Sequence, residues 1–140
     1  MKKIDVVGAV IFNESNQILC ALRSQQMSLP GLWEFPGGKI EPNESPEGSL
    51  IREIQEELNC IIEVGDLVAD ATYEYPTITV RLITYKATIV DGVPNPNEHE
   101  KLIWLSIDKL HTLEWAPADL PTIDALIASH LIQSSDEVSK

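Results

Sequence analysis

Residues 37–60 read GGKIEPNESPEGSLIREIQEELNC, from Gly37 to Cys60. A pair of glycines leads through a polar turn into a short helix with an unusual concentration of carboxylates. Ser45 followed by Pro46 is a start signal, a hydroxyl cap and then proline at the first helical position, and Glu47 suits the positive end of the helix dipole. Leu50, Ile51, Ile54, Leu58 and Ile61 form an apolar stripe that can pack against a sheet. Asn59 stands where the chain should leave the helix through a left-handed residue. Roughly 120° round the helix from that stripe Glu53, Glu56 and Glu57 fall at i, i+3 and i+4, so their side chains leave one face within an arc of roughly 100°. Like charges at this spacing destabilise an isolated helix by roughly 0.2–0.5 kcal/mol per pair, and only Arg52 offers local relief. A bound cation would remove the repulsion, and Mg²⁺ is usually held through a few carboxylates plus substrate phosphates. The plain alternative is a solvated acidic face.

The wider pattern favours the cation. Gly38, Glu44 six residues on, then Arg52-Glu53 and Glu56-Glu57 resemble the Nudix box, with Asn59 where that pattern has glycine. This resemblance implies an α/β Nudix fold, a mixed β-sheet sandwiched between α-helices. It also implies that Glu53, Glu56 and Glu57 hold Mg²⁺, with Mn²⁺ as a substitute, and that the carbonyl of Gly37 is a further ligand. Arg52 would orient the glutamates, and Glu44 would support the helix rather than touch substrate. Glu98, six residues before Trp104, matches a loop glutamate of MutT-like enzymes that completes the metal site and serves as a general base; Glu100 and then His99 are its rivals.

Substrate contacts implied by the same resemblance are Arg23, Phe35, Lys39, Tyr75 and Asp119. Trp115-Ala116-Pro117-Ala118-Asp119, followed by Leu120-Pro121, resembles the MutT-like subgroup that acts on CTP and modified nucleoside triphosphates. Each contact has a simpler reading. Arg23 could be a surface charge, Tyr75 and Tyr73 could pack the core edge, and Asp119 could cap the last helix. The implied reaction is water attack that splits a nucleoside triphosphate into monophosphate and pyrophosphate, on a cytosine-type base or an oxidised purine such as 8-oxoguanine. Alternatives within and outside that chemistry are a nucleoside diphosphate linked to another group, and a nucleotide sensor without turnover.

Composition sets the outer limits. The 140 residues suffice for one domain, expected at 1–132 with a polar, disordered tail at 133–140, and can bury roughly two thirds of their unfolded surface. A net charge of −12 argues against broad contact with duplex nucleic acid or anionic membrane. The resemblance implies a small nucleoside triphosphate as the partner, and a monomer or weak homodimer is the expected state. No apolar leader or span precedes the first strand, so the cytoplasm is the expected compartment. Cys20 and Cys60 are too few for a disulfide framework and read as small buried hydrophobes.

In chain order, 4–12 and 17–22 read as a hairpin about the turn Asn13-Glu14-Ser15-Asn16. Residues 61–74 and 77–90 read as a β-meander ending at Asp91-Gly92, 94–97 as a polar loop, 101–105 as a strand, and the last helix as running to about His130.

Overall fold

The structure, a computed structural model, describes residues 2–138, with side chains through residue 132. Its elements are β1 (Lys2–Phe12), β2 (Ile18–Leu22), β3 (Trp33–Glu34), β4 (Gly37–Lys39), α1 (Pro46–Leu58), β5 (Ile61–Glu74), β6 (Ile78–Asp91), β7 (Lys101–Leu105) and α2 (Leu120–Val138). Two 3₁₀ segments, Ile107–Thr112 and Pro117–Asp119, precede α2. The sheet runs β3-β2-β1-β6-β5, with β4 beside β1 and β7 beside β2.

β1 is central because it is apolar on both faces. Val7, Ala9 and Ile11 point to one side with Leu50, Ile54 and Leu58 of α1, while Val10 points to the other with Ile123 and Leu126 of α2. Side chains alternate across a strand, so one strand supplies both cores and each helix covers one face. The expected mixed sheet between helices is what forms.

Local signals behave as their chemistry dictates. Ser45 Oγ accepts from Gly48 N at 3.0 Å, Pro46 opens α1, and Asn59 leaves it at φ 61° with its N–H bonded to Gln55 O. Asn13 Oδ1 takes the backbone N–H of Ser15 and Gln17, closing the turn between β1 and β2. Cys20 and Cys60 are buried free thiols.

Several expectations change. β1 and β2 share one pairing, Phe12 with Ile18, whereas β1 pairs in parallel with β6 along its whole length. The expected antiparallel hairpin thus forms at the end of β1, while the length of the strand is given to β6. The two strands expected over 61–74 and 77–90 form as an antiparallel pair, β5 and β6, and after Gly92 the chain crosses to place β7 against β2. Ile51 is exposed, and Ile61 sits on β5 rather than on the helix, which narrows the apolar stripe to Leu50, Ile54 and Leu58. Tyr73 is 41% exposed and lies on the ring of Tyr75, 4.6 Å between centroids, instead of closing the core edge. The last helix continues past His130 to Val138, since no glycine or proline interrupts 131–138, so the tail expected from residue 133 is helical through 138. Residues 139 and 140 lie outside the described residues.

Candidate active site

Helix α1 presents its carboxylates unequally, and Arg52 is the reason. The guanidinium grips Glu44 with two bonds, Nε to Oε2 at 2.8 Å and Nη2 to Oε1 at 2.9 Å, and reaches Glu53 Oε1 at 2.9 Å and Glu56 Oε2 at 3.3 Å through Nη1. Nη2 also donates to the carbonyl of Lys39, tying the helix to β4. Glu44 takes a further bond from Ser49 Oγ, and Arg52 foremost lowers its carboxyl to about 2. Glu56 is mostly in solvent, the least committed of the three helix glutamates.

Glu53 and Glu57 turn inward. The Glu53 carboxylate occupies the space where a side chain on residue 38 would stand, because a Cβ on Gly38 would run into its Oε2. On Gly37 the obstacle is backbone: a Cβ there would collide with the carbonyl of Val7, across the β1–β4 pairing. The two glycines thus do different jobs, Gly37 letting strands close and Gly38 leaving room for an acid. Burial pushes the Glu53 carboxyl above its ordinary value against the pull of Arg52.

Glu57 is the most perturbed acid beside this corner. Burial first, then the charges of Glu34, Glu53 and Glu98, push its carboxyl up to about 8, and its Oε2 is buried without a hydrogen-bond partner among the described residues. A buried carboxylate oxygen left without a partner, in the field of three other carboxylates, suits a divalent cation. Among the described residues no three His, Cys, Asp or Glu side chains enclose a cation by themselves. An ion that keeps several waters and shares phosphate oxygens does not need such a cage.

From Glu57 and Gly38 a cavity of about 590 Å³ extends across the sheet to Asp119. Its floor is apolar, with Ile78, Val80 and Leu82 of β6 alternating toward it beside Ile4 and Val6 of β1. Phe35 and Tyr75 form walls. Phe35 stacks on Trp115 at 4.8 Å between centroids, and its backbone N–H donates to Asp119 Oδ1 at 3.1 Å. Tyr75 Oη accepts from the N–H of Ala118 at 3.1 Å. Burial keeps the Asp119 carboxyl well above its ordinary range, with the Phe35 bond pulling the other way.

The sequence profile described as NUDIX domain matches residues 2–126. The chain belongs to the Nudix family. It is 37% identical over 136 residues to the CTP pyrophosphohydrolase of Escherichia coli K12, covering 97% of this chain and 100% of that protein. It is 32% identical over 126 residues to the 8-oxo-dGTP diphosphatase of the same organism, covering 90% and 98%. Among solved structures, the DNA mismatch repair protein MutT of methicillin-resistant Staphylococcus aureus 252 superposes with a TM-score of 0.75 at 51% identity, covering 92% of this chain and 99% of that one.

Set on the Nudix fold, the residues singled out from sequence divide into three groups. Gly37, Glu57, Arg23, Phe35, Tyr75 and Asp119 line the cavity, and Glu53 stands behind Gly38 at its end. Arg52, Glu44 and Glu56 form the outer ionic network, with Glu98 exposed on the loop before β7 and acting on Glu57 through its charge. Lys39 falls elsewhere, on a separate hollow of about 400 Å³ with Lys3, Asp5 and Arg81. Asp119 does not cap α2, because its carboxylate is turned back to Phe35.

Glu34 escaped the sequence reading. It lines the cavity, pairs with Arg23 at 2.6 Å through Oε1, and lies 2.7 Å from His99 Nε2 through Oε2. The available signal was its position, three residues ahead of the first glycine on the strand that feeds the corner. Met27 and Leu29, on the loop that Arg23 holds through Ser28, also line the cavity and carried no motif.

Proposed function

We propose that this Nudix protein hydrolyses a nucleoside triphosphate to the monophosphate and pyrophosphate in the presence of Mg²⁺ or Mn²⁺. The observation that carries this reading is one cavity with two unlike ends: crowded carboxylates about Glu57 at one, and an apolar slot ending in the buried carboxyl of Asp119 at the other. The names of the two Escherichia coli relatives, a CTP pyrophosphohydrolase and an 8-oxo-dGTP diphosphatase, agree with it.

Glu53, Glu57, Glu98 and the carbonyl of Gly37 would hold the divalent ion, which when bound supplies charge neutralisation of the phosphates and a more acidic water. The protein's own contributions can be stated residue by residue. Arg52 takes up the charge of Glu44 and Glu56 and aims Glu53 past Gly38, so the two inward acids are held before substrate arrives. Glu98, exposed and acting on the Glu57 carboxyl through its charge, would accept a proton from attacking water. At the far end Phe35 and Tyr75 would flank a planar base. Asp119 would meet its edge, accepting from an exocyclic amine or donating when protonated. This favours a cytosine-type base or an oxidised purine over the sugar or the phosphates as the discriminated group.

The test is a panel of canonical and oxidised nucleoside triphosphates with Mg²⁺, followed for monophosphate and pyrophosphate release. One or a few bases should be turned over, and Glu53→Gln should cost about two orders of magnitude or more. Equal, slow turnover by wild type and variant across the panel would refute the reading.

A further inference from the structure

The segment between β6 and β7, residues 92–100, carries Glu98 without helix or strand structure. Three ties hold it. Asn95 N donates to the carbonyl of Leu58 at 3.0 Å, on the last turn of α1, and Glu100 N donates to the carbonyl of Leu22 at 2.9 Å. The third is made by a side chain, His99, immediately beside Glu98: its Nε2 lies 2.7 Å from Glu34 Oε2.

Glu34 is already fixed, its other oxygen 2.6 Å from Arg23 Nη1. A carboxylate held by a guanidinium accepts, so His99 presents Nε2–H to it. That tautomer leaves Nδ1 as an acceptor, and Nδ1 is buried with no hydrogen-bond partner among the described residues. The imidazole is 1% exposed. A buried acceptor left unpaired is a cost that a leucine filling the same space would not carry. Packing alone therefore does not account for histidine here, whereas a short bond to a cavity-lining carboxylate does.

We propose that His99 is a positioning residue for Glu98. The Nε2–H bond to Glu34 fastens the loop to the cavity wall one residue from Glu98, and so keeps that carboxylate within reach of Glu57, which feels its charge, instead of drifting with an otherwise irregular segment. This rests on the part given to Glu98 under the proposed function, and the experiment separates the two.

Mn²⁺ binding without nucleotide, followed by electron paramagnetic resonance, is measured beside kcat and KM for wild type, His99→Leu, His99→Gln, His99→Asn, Glu98→Gln and the Glu98→Gln/His99→Leu pair. Removing a side chain that orients a metal ligand typically weakens affinity or activity about 10–100-fold. His99→Leu should show a loss of that order in Mn²⁺ affinity and kcat with KM little changed. His99→Gln, whose amide nitrogen can stand near the Nε2 position, should recover most of it. His99→Asn, whose amide reaches only toward the Nδ1 position, should not. The double variant should be no worse than Glu98→Gln alone, because His99 acts through Glu98. Should His99→Leu fail to fold, the order of Gln above Asn carries the test. Wild-type Mn²⁺ binding and turnover in His99→Leu, equal values for Gln and Asn, or full additivity in the pair would each overturn the inference. A Glu98→Gln protein with wild-type affinity and kcat would instead remove the role of Glu98 itself, and the inference with it.

Discussion

Replacing Glu57 by Gln should make the metal-free protein more stable while abolishing its work. Burial and the charges of Glu34, Glu53 and Glu98, against a smaller opposing effect of Arg23, move the Glu57 carboxyl from 4.5 to about 8 on folding. A carboxyl raised in the folded state favours folding below its unfolded value, and that contribution is lost as pH rises through the folded value. Each pH unit between those two values costs about 1.4 kcal/mol, so relative to acid pH the fold loses about 3 kcal/mol at pH 7, where Glu57 still holds its proton, and about 5 kcal/mol above pH 8, where it ionises. Glutamine has the shape of the protonated acid and never carries the penalty. Urea unfolding in EDTA should find Glu57→Gln within about 1 kcal/mol of wild type at pH 5 and more stable by roughly 3–5 kcal/mol at pH 8.5. Mn²⁺ should narrow the gap by stabilising wild type alone. A variant that is less stable than wild type at pH 8.5, or a difference that does not change with pH, would refute the electrostatic reasoning.

Gly38→Ala is a second, more local perturbation. Gly38 is absent from the positive-φ positions, so its backbone accepts alanine, and the obstacle is the movable carboxylate of Glu53. The melting temperature should stay near that of wild type while kcat falls about 100-fold, the scale for a catalytic group displaced by roughly 1 Å; an unchanged kcat would show that the position of Glu53 is immaterial. Asp119→Ala should alter the ratio of kcat/KM between cytosine and oxidised-purine substrates without abolishing hydrolysis of both, and an unaltered ratio would reduce Asp119 to a support for Phe35.

How much of this was legible beforehand depended on whether the cause was local. Helix α1 was, because its cap, first proline and left-handed exit are fixed by Ser45, Pro46 and Asn59 within a few residues of sequence. The arrangement of its acids was only half legible. Helical spacing put Glu53, Glu56 and Glu57 on one face, but which of them turned inward was decided by Arg52 drawing Glu56 outward and by the space left at Gly38. The β1–β6 pairing was hidden because parallel partners lie far apart in sequence and no turn announces them. Glu34 was hidden for a similar reason. Its partners, Arg23 and His99, lie 11 and 65 residues away, so no spacing rule joins them. Asp119 could be read as a cap or as a base contact until the pairing of Trp33 with Trp115 brought its segment beside Phe35.

The central claim is that acids and base pocket are two ends of one nucleotide site. A crystal structure with Mn²⁺ and a non-cleavable nucleoside triphosphate, read from the anomalous signal of the metal, tests it most directly. The account predicts manganese against Glu57 and Glu53 beside Gly37, phosphates on that ion, and the base between Phe35 and Tyr75 with its edge on Asp119. Manganese bound away from those carboxylates, or a base lying outside the cavity with the polyphosphate elsewhere, would contradict it.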